Sequence, residues 1–176
     1  MPTASKSNTK SSRKTGSRPA VVAEYPPQDA LSLLKEDHRK VEALFEQFES
    51  ARKSERKQAI VKSICEELTL HAALEESVFY PALRDVLTLK KDQALLDEAM
   101  VEHATLKGLI AKLESEQPDA SYYDATVTVL KEYVNHHVKE EEKEIFAEVR
   151  KSSLSTLELG QTMQAAREKL KRKFTH

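Results

Sequence analysis

Residues 133–146, YVNHHVKEEEKEIF, decide how this chain is read, because they repeat an earlier stretch, residues 71–81, HAALEESVFYP. Each stretch places a Glu pair four and five residues after a His, and an aromatic nine residues after it. The matched residues are His71, Glu75, Glu76 and Tyr80 in one, and His137, Glu141, Glu142 and Phe146 in the other. Residues four apart lie on one face of an α-helix, so each stretch aims an imidazole and a carboxylate in the same direction. Two such pairs on two helices can close on a shared centre.

Working outward, four amphipathic helical patterns cover residues 29–53, 54–80, 92–116 and 120–151. Pro81 is expected to kink or end the second, since proline removes a helix hydrogen bond. With only 3 glycines and 32% charged residues, the composition also favours helix over sheet. Four such helices with short connections predict an all-α, up-down-up-down four-helix bundle over residues 28–152. A weaker pattern at 154–174 predicts a further helix within a C-terminal region, 153–176, that packs across one end or extends as a basic tail. Residues 1–27, rich in Ser, Thr, Lys and Arg, read as a disordered arm.

Each helical stripe is interrupted at its middle. The first runs Leu31, Leu34, His38, Val41, Phe45, and the second Ile64, Leu68, His71, Glu75, Val78. The third runs Leu96, Met100, His103, Leu106, Ile110, and the fourth Val127, Leu130, Val134, His137, Glu141, Ile145. Four of the 6 histidines and two carboxylates therefore stand at core positions, at heights that match across an antiparallel bundle. Burying carboxylates without partners costs several kcal/mol, so the pattern demands a counter-charge. Six nitrogen and oxygen donors exceed the needs of one tetrahedral zinc, and two carboxylates able to bridge suit a pair of metals about 3.5–4 Å apart. Donors without thiolate admit iron, manganese or zinc.

The segments LLKEDHRKVEALF, HAALEESVFYP, EHATLKGLI and NHHVKEEEKEIF together resemble the hemerythrin-like family, the HHE cation-binding domain. The resemblance covers residues 29–150. It implies two iron ions in an oxo- or hydroxo-bridged di-iron centre, with His38, His71, His103 and His137 as terminal ligands and Glu75 and Glu141 as bridges. It also implies binding of or response to O2, peroxide, nitric oxide or iron. Two departures stand out. Oxygen-carrying members have a second His on the third helix, where this chain has Lys107. They also place the last carboxylate at the position of Glu142, whereas Glu141 fits the broader HHE group. One metal is then short of a nitrogen donor, leaving water, an exogenous group, Tyr80 or Tyr133 to complete it. The ferritin-like alternative requires Glu-x-x-His pairs, and this sequence has none.

Several neighbours carry two readings each. His136 points roughly 100° away from His137 and reads as a flank, or, with the register slipped by one, as the ligand in place of His137 together with Glu140. Glu76, Glu102 and Glu142 are either exposed acids or carboxylates that orient a ligand His, and Lys107 either snorkels or lines the mouth of the site. Cys65 reads as a small core residue.

The charge is uneven. The net −1 resolves into +5 over residues 1–20, +4 over 167–173 and −10 between them. An acidic body is no nucleic-acid footprint. No apolar run resembles a signal peptide or membrane span, and the lone Cys65 rules out an intrachain disulfide, so the cytoplasm is the expected compartment. The expected partners are a small diatomic or peroxide ligand, with a protein partner able to dock on the basic ends, and neither nucleic acid nor membrane. Two other functions compete with binding or sensing: a di-iron enzyme with catalase- or peroxidase-like activity, and an interaction module whose metal is structural.

Overall fold

The computed structural model describes residues 28–174; the arm expected over 1–27 and the terminal His176 lie outside that range. Among the described residues every regular element is helical. The first rod is α1 (Ala30–Ser50), started by Asp29, whose carboxylate accepts from the Leu31 and Ser32 amides as a side-chain cap. The second joins α2 (Ser54–Leu74), a π-helical turn π1 (Glu75–Phe79) and α3 (Tyr80–Val86). The third is α4 (Lys90–Ser115), and the fourth joins α5 (Tyr123–Glu140), π2 (Glu141–Ile145) and α6 (Phe146–Lys151). These four rods form the up-down-up-down bundle.

Pro81 does not end the second rod. The widened π1 turn closes with the Tyr80 amide donating to the Glu75 carbonyl, and Pro81 falls in the first turn of α3, where a missing N–H costs nothing. π2 closes in the same way, from the Phe146 amide to the Glu141 carbonyl. The two π turns thus start on the Glu of each repeated stretch. They also account for its nine-residue aromatic spacing. In an unbroken α-helix nine residues rotate by about 900°, which lands on the opposite face. A π turn absorbs one residue and returns the aromatic to the His side, so Tyr80 and Phe146 are both fully buried.

The third stripe also needs correcting. Met100 is 38% exposed, and Ala99 takes the seam between Leu96 and His103. A small side chain there lets α4 lie against π2.

A fifth helix, α7 (Thr156–Phe174), lies along the bundle rather than trailing from it, packing on α1, α2 and π1. Leu159 and Met163 enter the core. At Gly160 the approach is so close that a Cβ would collide with the Gln28 carbonyl and lie 2.8 Å from the Ala30 amide. The apolar core is split in two. One half gathers Leu34, Leu74, Phe79, Phe146 and Met163, the other Phe45, Ile64, Leu106, Tyr123 and Leu130. Between the halves lies a polar layer.

Candidate metal centre

His38, His71, Glu75, His103, His137 and Glu141 all lie in that layer, each no more than 7% exposed. The structure brings all six together, as the interrupted stripes predict. They form two donor sets that share Glu75. His38, His71, Glu75 and Glu141 make one and Glu75, His103 and His137 the other; in each set the donor atoms lie within 4.8 Å of one another.

Every imidazole turns the same atom inward. Nε2 of His38 is 3.2 Å from Glu141, Nε2 of His71 is 3.1 Å from Glu75, and Nε2 of His103 is 3.3 Å from Glu75 and 3.2 Å from Nε2 of His137. The outward atom, Nδ1, meets a carboxylate in all four cases. The partner is Glu142 for His38 (2.9 Å), Glu76 for His103 (3.0 Å) and Glu102 for His137 (2.8 Å). For His71 it is Asp37, at a longer 3.4 Å. An ionised carboxylate only accepts, so Nδ1 carries the proton and a neutral ring offers its Nε2 lone pair to the centre. Glu76, Glu102 and Glu142 therefore orient the histidines rather than forming a merely solvated face.

Asp37 escaped the sequence reading, although it precedes His38 directly. Its other bonds come from Arg167 on α7, whose two terminal nitrogens donate to its two oxygens. Lys107, half exposed, donates to both oxygens of Glu76 at 2.6 Å and so reaches His103 through that carboxylate. Tyr133 is 45% exposed and turned to solvent, whereas the Tyr80 ring lies 5.6 Å from that of His103 and its buried hydroxyl has no hydrogen-bond partner.

The electrostatics are those of a cation site. Burial drives the Glu75 carboxyl up, but the His71 and then the His103 imidazole pull it well below the usual carboxylate range. Burial and the adjoining Glu75 charge instead raise Glu141. Burial lowers His71, yet Glu75 and Asp37 outweigh it and lift the imidazole to about 10. Glu141 and Glu142 raise His38 against the same burial, as Glu75 and Glu76 raise His103. Burial and the neighbouring carboxylates push the Tyr80 phenol far up, so it stays neutral. The inward Nε2 atoms of His38 and His71 and the carboxylate oxygens of Glu75 and Glu141 are buried without a well-aligned hydrogen bond. Orphaned donors of this kind fit a metal ion, which takes lone pairs and neutralises carboxylates together.

The family model of the Hemerythrin HHE cation binding domain matches residues 29–149. This chain belongs to that family. A crystal structure of an HHE cation binding domain-containing protein from Mycobacterium kansasii superposes with a TM-score of 0.69 at 25% identity, covering 81% of this chain and 86% of that one. A protein from Nostoc sp. described as a DNA nickase is 29% identical over 144 residues, 81% of this chain. The chain spans 40% of that relative's length. As an HHE protein the chain binds a metal cation, and its buried His and Glu sets are the candidate ligands. No helix among the described residues is long and apolar enough to cross a membrane.

Proposed function

We propose that this HHE protein holds two iron ions in the buried layer and uses them to bind or sense O2, peroxide, nitric oxide or iron itself. The observation that carries this reading is the pair of donor sets joined by Glu75, with all four Nε2 atoms turned inward. His38, His71, Glu75 and Glu141 would hold one ion and Glu75, His103 and His137 the other. A pair of redox-active ions would supply reversible capture or reduction of an oxygen- or nitrogen-based ligand. The protein's share is to orient the imidazoles through Nδ1, exclude water and shape the space where the ligand lodges. That space is a cavity with about 20 Å³ of room beside the four histidines, walled by Val41, Leu68, Leu106, Ile110 and Val134. Its size and apolar walls suit a molecule of two or so heavy atoms.

Cys65 is the only cysteine and is buried as a free thiol, which fits a reducing compartment, and the cytoplasm is the one proposed. A protein partner would dock on the basic ends. A role on DNA, as named for the Nostoc relative, has weak electrostatic support, because residues 21–166 carry −10 and repel phosphate.

Metal content per chain, with an ultraviolet-visible spectrum before and after peroxide, tests the proposal. About two irons with ligand-to-metal charge-transfer bands are expected. A folded protein that neither carries nor takes up Fe2+, Mn2+ or Zn2+ would overturn it.

A second reading, turnover of peroxide, is favoured by the asymmetry of the centre. One set has four protein donors and the other three, with the neutral Tyr80 phenol beside the smaller set. Two H2O2 would yield two water and one O2. Oxygen evolution by the iron-loaded protein, altered in Tyr80→Phe, is expected on this reading, and none from wild type would sink it.

A further inference from the structure

His136 and His137 are neighbours on α5 that face opposite sides of the bundle wall: the side chain of His136 is 60% exposed and that of His137 4%. Each has a Glu four residues on. Inside, His137 is followed by the buried Glu141; outside, Nε2 of His136 lies 3.3 Å from Oε1 of Glu140. Two parallel His–Glu ladders thus run down one helix, one facing the centre and one facing solvent. Glu102 of α4 stands between them. Its Oε2 accepts from Nδ1 of His137 at 2.8 Å, and its Oε1 lies 3.6 Å from Nε2 of His136. One carboxylate therefore joins an inner donor to the outer pair.

An exposed His–Glu pair alone is an ordinary surface contact of little energetic weight. Two further features set this one apart. The donor atoms of Glu102, His136 and Glu140 all lie within 4.8 Å of one another. With Nε2 of His136 3.3 Å from Glu140 and 3.6 Å from Glu102, a point about 2 to 2.4 Å from all three donors exists, the bond length of first-row divalent cations to nitrogen and oxygen. Behind it lies a small cavity, with about 10 Å³ of room, whose walls include Glu98, Glu102, Glu140, Glu141 and His137. Glu141 is 1% exposed, lines that cavity, and has neither oxygen in a well-aligned hydrogen bond. The carboxylates that line this cavity, from the exposed Glu98 to the buried Glu141, favour a cation there and repel anions.

We propose that Glu102, His136 and Glu140 form an outer divalent-cation site through which metal reaches the buried centre. The outer site stands on its own geometry, while the transfer inward rests on the proposed function above.

The test compares the full chain with a double variant, His136→Gln with Glu140→Gln. Glu102 stays because it also holds His137. Calorimetric titration of the metal-free proteins with Zn2+ should show, in the wild type, one weaker binding event per chain that the variant loses. Anaerobic loading with Fe2+ should slow at least tenfold in the variant and reach the same final iron content. Equal zinc stoichiometry would overturn the outer site. Loss of the zinc event with an unchanged loading rate would overturn its role in transfer. If the buried layer held no metal, the tight events would be missing from both proteins while the weaker event still told them apart.

Discussion

Arg167, on the last helix, closes on both carboxylate oxygens of Asp37, whose Oδ2 lies 3.4 Å from Nδ1 of His71. A helix outside the four-rod bundle thereby orients an imidazole at its centre. All four outward carboxylates stand on the bundle rods, Asp37 on α1 among them, and Asp37 is the one that α7 holds in place. Burial raises the Asp37 carboxyl, but His71 and Arg167 together bring it below its ordinary value.

Arg167→Ala should then leave Asp37 buried without its strongest donor. Removing one partner of a buried pair costs about 3–5 kcal/mol, and the 19% exposure of the Arg167 side chain reduces this to about 1–3 kcal/mol. Urea unfolding of the metal-free protein measures it. Asp37→Asn should weaken metal binding by about 10–100-fold, the usual cost of losing a carboxylate behind a ligating His.

The two central carboxylates should not be equivalent. Glu75 belongs to both donor sets and Glu141 to one. Glu75→Gln is expected to lose both ions, whereas Glu141→Gln should keep the ion held by His103 and His137. Metal analysis of the two variants after identical loading distinguishes them, and equal content in both would contradict the shared role of Glu75.

Stability of the metal-free protein should fall on the alkaline side. The folded pKa of His71 is raised from 6.5 to about 10, so its stabilising contribution is complete below pH 6.5 and is lost as pH climbs through about 10. Glu75, Asp37 and Glu142 are depressed, so theirs is present above the ordinary carboxylate range and lost as pH falls through the lowered values. The melting temperature should therefore peak near pH 5–7 and decline towards pH 10. Metal replaces the proton on Nε2, so the loaded protein should be flat over the alkaline part of that range and should release protons on binding. Calorimetry in buffers of differing ionisation enthalpy counts them.

Gly160→Ala tests the docking of α7. The new methyl would meet backbone, the Gln28 carbonyl and the Ala30 amide, neither of which can rotate away. Overpacking of this kind costs about 1–3 kcal/mol. A lower melting temperature is expected, with metal affinity falling as in Asp37→Asn if α7 carries Arg167 away with it.

The six central residues were legible in the sequence because helical spacing is a local property. A His in place of Leu on an apolar stripe can be seen without knowing what the stripe faces, and the matched heights of His38, His71, His103 and His137 followed from alternating helix direction. The π turns left a trace as well, since both stretches carry an aromatic nine residues after the His, a spacing that a π turn brings back towards the core. Pro81 and Met100 were misplaced for that kind of local reason: a widened turn moved Pro81 to a helix start, and close packing gave the seam to Ala99. What no periodicity could supply was the partner of each outward Nδ1. His71 meets a residue 34 positions earlier, and that residue is held by one 130 positions away. Charged residues crowd every helix of this chain, and a sequence cannot tell which carboxylate is held in low dielectric and which is solvated. Only the packing of α7 on α1 and α2 decided that Asp37 and Arg167 belong to the centre.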